Sequence, residues 1–312
     1  MANTKDIQRR IKSVANTKKI TRAMEMVAAA KMRKAVEGTL ATRTYANLSW
    51  ETLLNLTQGA AHVATHPLLV DRKEIKRQAV VVITSNRGLC GGFNASIISA
   101  VRQIAADKNI ITDIVLVGKK GESLGDVYEI VAQFPYPETG LNASNVLPII
   151  SFVSNGFLAG QYDRVFVAYT DFINAVKQMP RVRQLLPVVT ESADKNLGLL
   201  ESDDSIGLSK EMVKEKSAKH SHRAGFSFEY VFEPAPEVVL EAVVPRLLEV
   251  QLYQALLESV ASEHSARMSA MHQATQAASD LGTELTLFYN KARQAAITGE
   301  IAEITAGVAA LE

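Results

Sequence analysis

The chain has 312 residues, 47% apolar and 21% charged, and a formal net charge of +1. That is enough chain for one large domain or two ordinary ones with a real core, and its composition excludes a disordered polymer. The near-neutral total gives no whole-molecule field for nucleic acid, and the single cysteine, Cys90, excludes an internal disulfide or a cysteine-built metal cluster.

Proline placement divides the chain. None of the nine prolines precedes Pro67 and none follows Pro245. An interior proline costs a helix about 3 kcal/mol, so both ends are free to form long helices. The stretch 3–58 is rich in Ala, Lys, Arg, Met and Glu, with Ile7, Ile11, Val14 and then Ile20, Met24, Val27 stepping by four and three. This is coiled-coil spacing, with a shift of seam between the two triplets. Its first 34 residues hold ten basic side chains, including Lys19 and Arg22, against Asp6 and Glu25. They suit a nucleic-acid-binding helix, a basic surface facing acidic partner loops, or a solvated face.

The middle alternates. AVVVIT (79–84), IVLV (114–117) and VFVAY (165–169) read as buried strands, with a helix-like run over 95–105. Strand, helix, strand at this spacing predicts a small parallel sheet with covering helices, an α/β fold. NRGLCGGFN (86–94) lies between a strand and a helix. Glycine-rich turns there can hold phosphate on backbone N–H groups, but neither G-x-x-x-x-G-K-[ST] nor G-x-G-x-x-G is present, which favours a packing turn. No histidine lies near Cys90 to activate it as a nucleophile. Residues 190–225 turn polar and read as an insert; His220 and His222 within it suit a solvated loop better than a metal site. Residues 226–232 alternate as a returning strand.

Pro234 and Pro236 introduce the last helical region, roughly 246–311, with Pro245 starting or kinking it. Met268, Met271, Ala274, Ala278, Leu281, Leu285 and Phe288 mark one face, and Ile297, Ile301, Ile304, Val308 and Leu311 continue by fours and threes. Gly282, Gly299 and Gly307 are tolerated surface glycines, points of close helix approach or compliant points. His264 and His272 stand more than two turns apart, too far for one metal ion. Arg293, Gln294, Thr298 and Glu300 form a polar cluster among small residues, without an acid/base pair or nucleophile. Long terminal helices cannot bury their stripes on a small sheet, so an antiparallel coiled coil of the N- and C-terminal helices is predicted. The expected division is 1–66 and 234–312 for the coil and 67–233 for the central α/β domain.

Three segments carry a resemblance. IKSVANTKKITRAMEMVAAAKMRKA (11–35), SNRGLCGGFN (85–94) and YNKARQAAITGEIAEITAGVAAL (289–311) together resemble the γ subunit of F-type ATP synthase. The resemblance implies a Rossmann-like central domain and a central rotor shaft that couples ion-driven rotation of the c-subunit ring to the catalytic cycling of β, with ATP synthesis linked to proton transport. The implied partners are the hexamer of α and β subunits, the ε subunit and the c ring, with no nucleic acid and with membrane contact only through the complex. The implied location is peripheral, on the cytoplasmic face of a bacterial plasma membrane. No cofactor, metal or catalytic residue is implied, since catalysis belongs to β. By motif position, Met24 faces an acidic lever of β, with Arg22 and Lys19 adding attraction. Arg293, Gln294, Thr298 and Glu300 bond a catch loop of the hexamer, and Tyr230 and Glu233 belong to the foot above the c ring. The 190–225 segment is longer than in short bacterial members, and the redox-active cysteine pair of the chloroplast form is absent.

Overall fold

The computed structural model describes residues 4–59, 66–72, 74–137, 141–188, 233 and 235–309. Tyr230, His220, His222, the polar insert and the expected strand over 226–232 lie outside the described residues. The elements, in chain order, are α1 (Thr4–Gly59), β1 (Arg77–Ile83), α2 (Phe93–Ile104), β2 (Ile111–Val117), β3 (Glu129–Phe134), α3 (Leu147–Leu158), β4 (Arg164–Phe172), β5 (Gln178–Leu186) and α4 (Pro236–Ala309). The chain divides into two compact units, residues 1–29 with 267–312, and residues 30–266.

In the 30–266 unit a five-stranded sheet has the order β3-β2-β1-β4-β5. Four strands are parallel and β5 returns antiparallel to β4, so the sheet is mixed where the sequence pattern predicted a parallel one. β5 escaped notice because QMPRVRQLL carries a proline and two arginines. Among the described residues it is an edge strand, where proline's missing N–H costs no ladder bond. Its Arg181 lies 2.7 Å from the buried carboxylate of Asp171 on β4. β1 and β2 are apolar on both sides because both faces of the sheet are covered. On one face α2 packs Ile97 and Val101 on Val80, Val82, Ile114 and Leu116. On the other, α3 and the 240–261 stretch of α4 pack Ile149, Val153, Phe157, Leu247, Leu248 and Leu256 against Val81, Ile83, Val115 and Val167.

α4 begins ten residues earlier than the 246 expected, with Pro236 at its first position and Pro245 inside it. Proline at the first position is harmless because that N–H has no helical partner. Pro245 removes one helical bond, and burial of Leu240, Val244, Leu247 and Leu248 around it outweighs the cost. Where α4 leaves the apolar core, serines clip it to the β4–β5 hairpin. Ser259 Oγ accepts the Thr170 N–H (3.1 Å), Ser262 Oγ donates to the Thr170 carbonyl (3.0 Å), and Ser265 Oγ donates to that of Ala175 (2.6 Å). Beside them Tyr169 is held well above the ordinary phenol range, first by burial, with Glu258 and Asp171 adding and Arg183 and Arg181 opposing. α1 enters the same unit through Gly38, where an added Cβ would stand 3.1 Å from Leu257 Cδ2.

Candidate functional site

The turn between β1 and α2 sits at the carboxyl end of β1, beside β4, where ligands of doubly wound sheets bind. Its polar groups are taken up internally. The Ser85 N–H donates to Asn94 Oδ1 (3.0 Å), Ser85 Oγ to the Arg87 carbonyl (2.8 Å), Asn94 Nδ2 to Cys90 Sγ (3.3 Å) and Asn86 Nδ2 to the Tyr136 carbonyl (3.2 Å). Cys90 is buried, and positive φ at Leu89 (63°) and Gly91 (57°) turns the chain into α2. The segment is a packing turn that sets β1 against α2, as the structural reading of NRGLCGGFN has it.

In the unit of residues 1–29 with 267–312, α1 and α4 run antiparallel. The seam on α1 follows Ile7, Ile11, Val14, Lys18, Thr21, Glu25 and Ala28, an unbroken alternation of four and three. On α4 it follows Met271, Thr275, Ala278, Gly282, Leu285, Tyr289 and Ala292. Thr275 Oγ1 donates to Thr21 Oγ1 (2.7 Å), Lys18 Nζ to Ser279 Oγ (2.9 Å), and His272 Nδ1 lies 3.0 Å from Glu25 Oε1. Gly282 faces Val14, whose Cγ1 would be 3.8 Å from an added Cβ, so this glycine does mark an approach of the helices. Nothing lies within 4 Å of such an atom at Gly299 or Gly307.

This seam corrects the predicted one after Val14. Ile20 is 61% exposed and Val27 57%, while Leu281 and Phe288 also face outward. The seam keeps its heptad register through Lys18, Thr21 and Glu25, so the apparent shift between triplets does not occur. Ile297, Ile301 and Ile304 likewise stand 48, 56 and 67% exposed. The antiparallel pairing sets the first described residue of α1, Thr4, about level with Ala292, so α4 has no described partner beyond that point. At about 100° per residue the three isoleucines lie on the side that also carries Arg293, Gln294, Thr298 and Glu300. The side continuing the seam carries Ala296, Gly299, Glu303 and Ala306, with Ala295 and Ala302 beside them.

The expected interface residues fall accordingly. Lys19 and Arg22 are exposed, Met24 is half-buried, Arg293, Gln294, Thr298 and Glu300 are exposed, and Glu233 is exposed in the other unit. The structure thus brings Lys19, Arg22 and Met24 onto one stretch of α1, and Arg293 to Glu300 onto one stretch of α4. Ile20, Met26, Val27, Leu281, Leu287 and Phe288 are outward apolar groups that the sequence reading either assigned to the seam or did not single out. Their signal was available in hindsight, since an unbroken heptad from Ile7 already excludes Ile20 and Val27 from it.

The family model described as ATP synthase matches residues 3–311. The ATP synthase gamma chain of Roseiflexus castenholzii is 39% identical over 320 residues, covering 100% of this chain and 99% of that one. That of Desulforamulus reducens is 40% identical over 314 residues, covering 100% of both. The chain belongs to the ATP synthase gamma chain family. As a γ chain it is a subunit of the ATP synthase complex and part of its F1 sector. The central stalk and c-ring structure of the Tetrahymena thermophila mitochondrial ATP synthase contains a similar chain, at 25% identity and TM-score 0.57, covering 82% of this chain and 99% of that one. The fold is also that of a chain in the Euglena gracilis mitochondrial ATP synthase, at 17% identity and TM-score 0.63 over 99% and 94%. No helix among the described residues is long and apolar enough to cross a membrane.

Proposed function

We propose that this γ chain is the central rotor shaft of its ATP synthase, coupling ion-driven rotation of the c ring to conformational cycling of the catalytic β subunits. It has no active site of its own. One observation supports this most directly: the 1–29/267–312 unit keeps Ile20, Met26, Val27, Leu281, Leu287 and Phe288 exposed among charged groups on its outside, while Lys18, Thr21, Glu25 and Thr275 take seam positions. Large apolar side chains held in water along a helix pair mark a surface that a partner covers. The α and β hexamer is that partner of the helix pair, and ε and the c ring meet the 67–233 domain. The chain is peripheral, on the cytoplasmic face of a bacterial plasma membrane, and touches the membrane only through the complex.

Such a shaft works by differential contact: each β state is favoured only as far as the rotor touches it differently. The sides of α4 beyond Ala292 differ in this way, one lined by alanines and Gly299 with Glu303 among them, the other carrying isoleucines, Arg293, Gln294, Thr298 and Glu300. Lys19, Arg22 and Met24 meet an acidic lever of β, and Tyr230 and Glu233 form part of the foot.

The purified chain is expected to hydrolyse no ATP, and its addition to purified α and β subunits to raise their turnover several-fold. Turnover by the chain alone, or turnover of α and β indifferent to it, would refute the proposal. Met24→Lys is expected to leave assembly intact and reduce ATP-driven proton pumping in membrane vesicles several-fold, because it places a charge on a sliding surface. Pumping equal to wild type would remove Met24 from this role.

A further inference from the structure

The seam of the 1–29/267–312 unit has a property that apolar packing lacks. Three successive contacts over two turns of α1 are side-chain hydrogen bonds between the helices: Lys18 to Ser279, Thr275 to Thr21, and His272 with Glu25. The middle contact is closed from water, Thr21 being 8% and Thr275 9% exposed. Its hydroxyls are also tied to the helix backbones, Thr21 Oγ1 lying 3.1 Å from the Lys18 carbonyl and Thr275 Oγ1 2.8 Å from that of Met271. Two hydroxyl protons serve these three contacts, so while Thr275 donates across the seam it is Thr21 that donates to its own helix backbone, at the Lys18 carbonyl.

From this geometry we infer that Lys18, Thr21, Glu25, His272, Thr275 and Ser279 form a rotational lock, which prevents α1 and α4 from rolling against each other. Apolar burial fixes the roll of a helix less sharply than hydrogen bonds do, because dispersion and burial have little direction. A roll of about 20° on a helix about 5 Å in radius carries a side-chain tip nearly 2 Å. That breaks a hydrogen bond of 2.7–3.0 Å, which weakens steeply with distance and angle. Directional contacts thus hold the angular relation between outward residues such as Ile20, Val27, Leu281 and Phe288, which non-directional packing would leave loose. The use of the lock in transmitting torque rests on the rotor reading. Its existence is a property of the free chain and is tested there.

Spin labels at Ala23→Cys and Ala277→Cys, both outward positions, report the angle between the helices as a distance distribution by pulsed electron–electron resonance. Buried Cys90 is checked for label uptake in the wild-type chain. The lock predicts a narrow distribution, about doubled in width by Thr21→Val with Thr275→Val. These replacements keep the volume and remove the bond. Adding Lys18→Met, Glu25→Leu and His272→Leu is expected to widen it further, while far-UV circular dichroism shows helix content retained. A distribution no wider in the threonine double variant overturns the lock, whatever the larger variant does. A seam that served cohesion alone would instead give unchanged or narrower distributions as apolar groups are added.

Discussion

Replacing Ile297 and Ile301 together by Asp is expected to abolish stable assembly of this γ chain with α and β subunits while leaving its own fold intact. Both side chains are about half exposed on a stretch of α4 with no described partner helix, so their loss removes almost nothing from the chain's own core. Aspartate has lower helix propensity than isoleucine by only a few tenths of a kcal/mol, too little to unwind a 74-residue helix. In the complex the balance reverses. Burying the remaining half of each isoleucine contributes about 1 kcal/mol, and burying an unpaired carboxylate in its place costs several more. Each 1.4 kcal/mol is tenfold in affinity, so a loss of at least 100-fold is expected. Size-exclusion chromatography of the mixed subunits checks assembly, and thermal melting of the free chain checks the fold. Assembly at wild-type affinity would mean that this stretch meets no partner surface.

The second large effect is expected at Gly118, just after β2. Its φ is +92°, and an added Cβ would stand 2.2 Å from the Thr84 carbonyl oxygen. The Thr84 N–H bonds the Val117 carbonyl at 2.8 Å and the Gly118 N–H bonds that of Phe134 at 3.2 Å. The crossing is therefore held between the ends of three neighbouring strands and cannot yield on one side alone. Gly118→Ala combines a left-handed φ with a collision against backbone, and a loss of about 3–4 kcal/mol is expected, a large share of the roughly 5–15 kcal/mol that holds a domain folded. Gly299→Ala is the matched control. Nothing lies within 4 Å of its added Cβ, and a helical Gly→Ala change is expected to stabilise by up to about 1 kcal/mol. Urea midpoints of the full chain should therefore move in opposite directions. An unshifted midpoint for Gly118→Ala would show that the strand ends relax around a side chain.

The amino-acid sequence by itself determined the terminal helices, because prolines are confined to the middle of the chain and helix formers fill both ends. It determined three of the five described strands, since runs such as AVVVI and IVLV have no exposed face to give away, and it determined the turn around Cys90 through its glycines. The polar cluster of Arg293, Gln294, Thr298 and Glu300 was legible in the residues, but the interface roles proposed for it and for Met24 rest on the resemblance, because a side chain on a helix surface carries no local signature of what it touches.

Tertiary structure decided what local patterns left open. The last strand of the sheet is polar and proline-bearing, and it forms because Arg181 finds Asp171 across the hairpin and a sheet edge tolerates Pro180. The seam was decided in the same way. Periodicity assigns a seam to the largest apolar side chains, yet two helices pairing closely select residues by position in the heptad, and those positions hold Thr21, Thr275, Gly282 and Ala28. An apolar stripe states only that something will cover it. Whether the cover is the chain's own second helix or a separate subunit depends on where the pairing sets each face, a distance between residues some 250 positions apart that no local pattern contains.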